Sequence, residues 1–142
     1  TWEAWDTKYK PNQDWNHAWG AAPANLLPRF VLGAEPLVPG WKQVRIRPNP
    51  GNLKFANGKI PTPLGPVMVD WKNGLSFRMN LNLPDGMTAR LELPAHPDSK
   101  GVAINGHPVQ AKRAGLRWLV DEAVTGRVSV EVGRDEVNAS QN

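Results

Sequence analysis

The 142-residue chain contains no cysteine. Disulfide scaffolds, thiol nucleophiles and cysteine-ligated metal centres are therefore excluded, and a chain of this length can bury a core without such staples. No apolar run approaches the roughly 20 residues that a membrane-spanning helix requires, so no membrane partner is expected. An initiating methionine is missing, and so is a basic segment leading into an apolar one, so no secretory leader is visible. The sequence is expected either to be trimmed or to begin inside a longer chain. A phosphate-binding glycine loop, a His-Glu-x-x-His zinc helix and a nucleophile elbow are also absent. Neither a metal nor a cofactor is expected.

Charge is present but not concentrated. The formal net charge is +4, which invites a nucleic-acid reading. The cations Lys42, Arg45, Arg47, Lys54, Lys59 and Arg90 are scattered and alternate with apolar residues, as solvent-facing strand positions do. A nucleic-acid binder would group them on one helix or interleave them with exposed aromatics. No nucleic-acid partner is expected.

Two kinds of sequence meet near residue 40. Before it, Asn16 is a candidate N-cap for HAWGAAPANLLPRFVLG, which is apolar nearly all round, with Asn25 and Arg29 as its clearly polar positions. Pro23 and Pro28 interrupt it, and Gly33 and Pro36 are placed to end it. The pattern predicts one buried, proline-kinked α-helix over residues 17–32. EPLVPGWKQ (35–43) reads as a linker. Short alternating runs follow, beginning with Trp41, Val44 and Ile46 on one side of a strand. Asn57-Gly58, Asn73-Gly74 and Asn105-Gly106 are tight-turn signals between such runs. The fold class expected is mainly β: an antiparallel β-sandwich, or a barrel, of about seven to eight strands preceded by that helix. Residues 1–40 form one unit, 41–134 the sandwich and 135–142 a polar tail.

Two of the three histidines, His96 and His107, sit beside turn signals and read as structural or solvated. The third, His17, belongs to the densest stretch of the chain. TWEAWDTKYKPNQDWNHAW carries Trp2, Trp5, Trp15 and Trp19 beside Glu3, Asp6 and Asp14. Aromatics interleaved with carboxylates and amides suit sugars, whose C–H faces stack on indole while their hydroxyls seek charged and amide groups. Glycoside hydrolysis further needs two carboxyls, one protonating the leaving oxygen and one activating water or attacking directly. The same spacing equally describes a tryptophan core with Asp6 and Asp14 as turn or cap residues, and spacing alone favours that core.

TWEAWD followed by NHAWGAAPANLLPRFVLGAEPLVPGWKQVRIRP resembles the closing part of bacterial α-L-rhamnosidases, glycoside hydrolase family 78, over residues 1–93. Beyond residue 93 the similarity is a matching order of strands. The resemblance implies an (α/α)₆ barrel followed by a C-terminal β-sandwich, with inverting hydrolysis of terminal α-L-rhamnosides. Residues 1–40 would then be the end of the barrel, and the partner would be a rhamnose-containing glycan or glycoside. The resemblance places the general base on Glu3 and a rhamnose contact on His17, with Trp5 and Trp19 in the same blocks as substrate-binding candidates. It also implies that the general acid and most sugar contacts lie upstream, in a barrel the 142 residues do not include. The chain alone is therefore expected to be inactive, and residues 17–32 to fold onto the sandwich or pair with a second copy. A bacterial source is implied, and a periplasmic or secreted location is favoured over a cytoplasmic one. Two other readings remain: a free-standing carbohydrate-binding sandwich with Trp41, Trp71 or Trp118 as an exposed platform, or a structural module without a ligand.

Overall fold

A computed structural model describes residues 18–133, with Trp19 described by its backbone alone. The described residues begin with a 3₁₀ turn (Ala18–Ala21), continue as an α-helix (Ala22–Leu26) and widen into a π-helical turn (Leu27–Leu32). The prolines explain this sequence of types. Pro23 and Pro28 each fall at the start of a piece, where a missing N–H leaves no bond broken. After Pro28 the register shifts by one, and Gly33 N donates to Pro28 O at 3.0 Å. Gly33 then ends the helix with φ at 86°, a left-handed value that glycine adopts freely.

Twelve strands follow among the described residues: β1 (Ala34–Pro36), β2 (Gln43–Ile46), β3 (Phe55–Ile60), β4 (Val67–Asn73), β5 (Phe77–Asn82), β6 (Thr88–Pro94), β7 (Gly101–Ile104), β8 (His107–Val109), β9 (Ala111–Ala114), β10 (Arg117–Val120), β11 (Val124–Thr125) and β12 (Arg127–Gly133). They make two sheets, ordered β1-β2-β6-β10-β9 with β11 also on β6, and β3-β4-β5-β12-β7-β8. All pairs are antiparallel except β2 with β6. Strict alternation feeds one face of each sheet inward: Val67, Val69 and Trp71 from β4, Met79 and Leu81 from β5, Leu91 and Leu93 from β6. The Trp71 and Phe77 rings meet with centroids 6.1 Å apart. The one buried polar side chain among the described residues, Ser99, accepts from Trp118 Nε1 at 2.8 Å and donates to His96 O at 2.8 Å.

The expected mainly-β sandwich is present, with more strands than seven or eight because several pieces are only two to four residues long. The helical segment differs in burial. Leu26, Leu27 and Phe30 are 48%, 54% and 48% exposed, and Leu32 at its C-terminal end is the residue seated in the core. An apolar surface that runs all round a helix can meet a sheet along one side only, so the rest stays open. The 35–43 stretch is no simple linker, since it carries most of β1 and a 3₁₀ turn (Pro39–Trp41). Trp41 belongs to that turn, with φ at 64°, and not to the strand that holds Val44 and Ile46.

Asn57-Gly58 is no hairpin either. It lies in the middle of β3, where a Cβ on Gly58 would fall 2.4 Å from Leu32 Cδ1. Glycine is needed there as a notch for the helix end. The other two signals do turn the chain: Asn73-Gly74 between β4 and β5, and Asn105-Gly106, with φ of 52° and 80°, between β7 and β8.

Candidate functional site

The last carbonyls of a helix have no partner within it and must find one elsewhere. Here the sandwich supplies them. Asn49 Nδ2 donates to Phe30 O at 2.9 Å, and Trp71 Nε1 donates to Val31 O at 3.1 Å. Arg47 N donates to Gly33 O at 2.8 Å, joining the helix exit to the strand beside β1. Arg117 completes the seam, donating to Pro48 O at 2.7 Å and Glu92 O at 3.1 Å as well as to Asn49 Oδ1. Burial, followed by the nearby Arg47 charge, holds the Arg117 guanidinium below its ordinary pKa, with Glu92 opposing.

Charges follow the same line. The register sets Glu35 of β1 opposite Arg45 of β2, and Arg45 Nη2 bonds Glu35 Oε2 at 2.8 Å. Arg29 reaches Glu35 from the helix at 3.3 Å, while Arg45 and Arg47 approach Glu92 of β6 at 3.7 and 3.4 Å. The Arg45 hydrogen bond holds the Glu35 carboxyl below its ordinary pKa, against the opposing effect of burial and helped by the Arg45 and Arg29 charges. Arg45 is raised in turn, chiefly by its bond to Glu35. A hollow of about 440 Å³ lies between helix and β1, with Asn25, Arg29, Glu35 and Trp41 in its walls. Sequence reading assigned Arg45 and Arg47 to solvent. Their acidic partners become visible only once β1 is known to pair with β2.

Of the predicted site residues, Glu3, Trp5 and His17 lie outside the described residues, as do Asp6 and Asp14. Trp19 is placed by its backbone in the 3₁₀ turn that opens the helical segment. The seam fixes the C-terminal end of the helix, at Phe30, Val31 and Gly33, which is the end farther along the chain from them. Trp71 and Trp118 are 0% and 9% exposed and Trp41 is half-buried, so these three form no exposed platform. Among the described residues no group of three or more histidine, aspartate or glutamate side chains comes together to hold a metal. No helix among them is long and apolar enough to cross a membrane.

A family model described as the bacterial alpha-L-rhamnosidase C-terminal domain matches residues 33–107, more than half of the chain, and begins at the glycine that ends the helix. The chain belongs to this family. An alpha-L-rhamnosidase of Alteromonas sp. (strain LOR) is 31% identical over 107 residues, covering 68% of this chain and 11% of the relative. The solved Streptomyces avermitilis alpha-L-rhamnosidase, in complex with L-rhamnose, is 26% identical, with a TM-score of 0.73 over 92% of this chain and 13% of that one. The alpha-L-rhamnosidase of Dictyoglumus thermophilum shares the fold at a TM-score of 0.79 and 20% identity, over 94% of this chain and 16% of its own. This rhamnosidase C-terminal domain chain thus spans between a tenth and a sixth of the length of these relatives.

Proposed function

We propose that the chain is the closing part of an inverting α-L-rhamnosidase, with residues 1–32 rather than the expected 1–40 finishing its catalytic barrel, since β1 already pairs with β2, and the sandwich from Gly33 onward serving as a structural accessory domain. The carrying observation is the family match at residues 33–107 in a chain that spans 11% of its curated relative. Exposed Leu26, Leu27 and Phe30 on a helix whose C-terminal carbonyls are capped by the sandwich support it, because a barrel would cover that face. In this reading Glu3 is the general base. An inverting reaction sets it about 6.5–9.5 Å from a general acid, with the attacking water between them. Glu3 takes the proton of that water as it attacks the anomeric carbon of a terminal rhamnoside. The acid, supplied from the barrel upstream, protonates the departing oxygen. His17 hydrogen-bonds the sugar, and Trp5 and Trp19 offer indole faces to its C–H groups.

The test is hydrolysis of an aryl α-L-rhamnoside. In the full-length enzyme Glu3→Gln should lower kcat by at least about 10²-fold, the scale of general-base catalysis, with folding intact by circular dichroism. A rate near wild type removes Glu3 from the mechanism. The 142-residue chain alone should show no turnover, and measurable turnover would overturn the claim that essential groups lie elsewhere.

A further inference from the structure

The β3-β4-β5-β12-β7-β8 sheet turns one face away from the core, and its register sorts that face into rows. The middle row is Asn57, Asp70, Asn80 and Ser129, one residue from each of β3, β4, β5 and β12. On one side of it run Phe55, Lys72, Arg78 and Glu131, and on the other Lys59, Met68, Asn82 and Arg127. Two shallow hollows of about 330 and 510 Å³ lie side by side on this face and share Asp70 and Asn80 as walls.

These choices are not what a merely solvated sheet face asks for. Asparagine is depleted in strands, yet Asn57 and Asn80 occupy strand centres. Lys72 and Arg78 stand directly opposite each other, and like charges in that relation destabilise a sheet. Arg78 is answered by Glu131, with Nε and Nη2 both 3.0 Å from Oε1. Among the described residues no ion pair neutralises Lys59, Lys72 or Arg127. Local rules broken together on one surface mark a place selected for something other than folding.

The arrangement selects a class of ligand. The middle row offers amides and a hydroxyl, which both give and accept hydrogen bonds, and a carboxylate, which accepts them, a set that suits vicinal hydroxyls. Spaced one strand apart, it extends about 15 Å across four strands, the reach of a short oligosaccharide. A carboxylate at the centre disfavours a ligand whose charge lies along its axis, such as a nucleic-acid backbone. The cations stand on both flanks, where charges projecting from a sugar chain would fall. Phe55, 65% exposed, and Met68, 47% exposed, add apolar surface for the C–H faces of the rings. We infer that this face is a binding site for an acidic oligosaccharide carrying carboxylate or sulfate groups, with Asp70 and Asn80 holding its hydroxyls and Lys59, Lys72, Arg78 and Arg127 its anionic groups. None of these residues figures in the catalytic reading, and the two stand or fall independently.

The experiment is titration of the ¹⁵N-labelled 142-residue chain with trigalacturonate, a sulfated galactan trisaccharide, methyl-esterified trigalacturonate and inorganic sulfate. At least one acidic trisaccharide should shift amides of β3, β4, β5 and β12, and the tighter of the two names the preferred acid group. The methyl ester should bind at least tenfold more weakly. Asp70→Ala and the pair Lys72→Gln with Arg78→Gln should each weaken binding about tenfold without lowering Tm, since all three side chains are exposed. No shift on this face with either acid, equal binding of the ester, or an equal response to inorganic sulfate (an adventitious ion only) would overturn the inference.

Discussion

Two glycines carry the junction between helix and sandwich, for different reasons. Gly33 has φ at 86°, and a Cβ there would sit 2.2 Å from the Arg47 carbonyl carbon, which as backbone cannot move aside. Gly33→Ala should therefore lower stability by about 2–4 kcal/mol, measured as a drop in the denaturant midpoint. At Gly58 the obstacle is Leu32 Cδ1, the far end of a flexible side chain, so Gly58→Ala should lower it by about 1 kcal/mol. Equal losses at the two positions would contradict this account. The first glycine was legible in the sequence because a helix stop is a local signal. The second was misread as a turn because Asn-Gly is also local, whereas the reason for Gly58 is a leucine from a distant segment.

The helical segment is held at one end and open along its length. Replacing Leu26, Leu27 and Phe30 together with serine should change stability of the 142-residue chain by no more than about 0.5 kcal/mol per site, since each is about half exposed. If the open side pairs two copies, the same variant should lower that association in sedimentation velocity. A large stability loss would mean that these side chains already have a partner. The seam carries a pH dependence of stated direction. The Glu35 carboxyl is depressed by Arg45, so its contribution is fully present above the ordinary glutamate range and is lost as pH falls through the depressed value. Tm should fall on acidification, and Glu35→Gln should flatten that fall; an unchanged pH profile would remove Glu35 from it. Long strands such as β4, β5, β6 and β12 were readable by alternation. The short β1, β9 and β11 were not, because two to four residues carry no period and their strand character comes from their partners.

At the scale of the molecule, the sandwich and its family were open to sequence reading, and the chemistry of the opening stretch was reached through resemblance to that family. The polar face of the β3-β4-β5-β12-β7-β8 sheet was not, because its rows exist only across paired strands, and one of them, β12, is far from the others in sequence. The same sheet has an unusual order of assembly. The last of its described strands, β12, lies in the middle, between β5 and β7. Until residues 127–133 arrive, β3-β4-β5 and β7-β8 are two separate ribbons, each with an unpaired edge toward the gap. On a ribosome, where synthesis proceeds from the N-terminus, this sheet stays split until its final strand has left the exit tunnel. The nascent domain therefore waits with sticky edges exposed, and it depends on holding chaperones or on fast closure to avoid pairing with its neighbours.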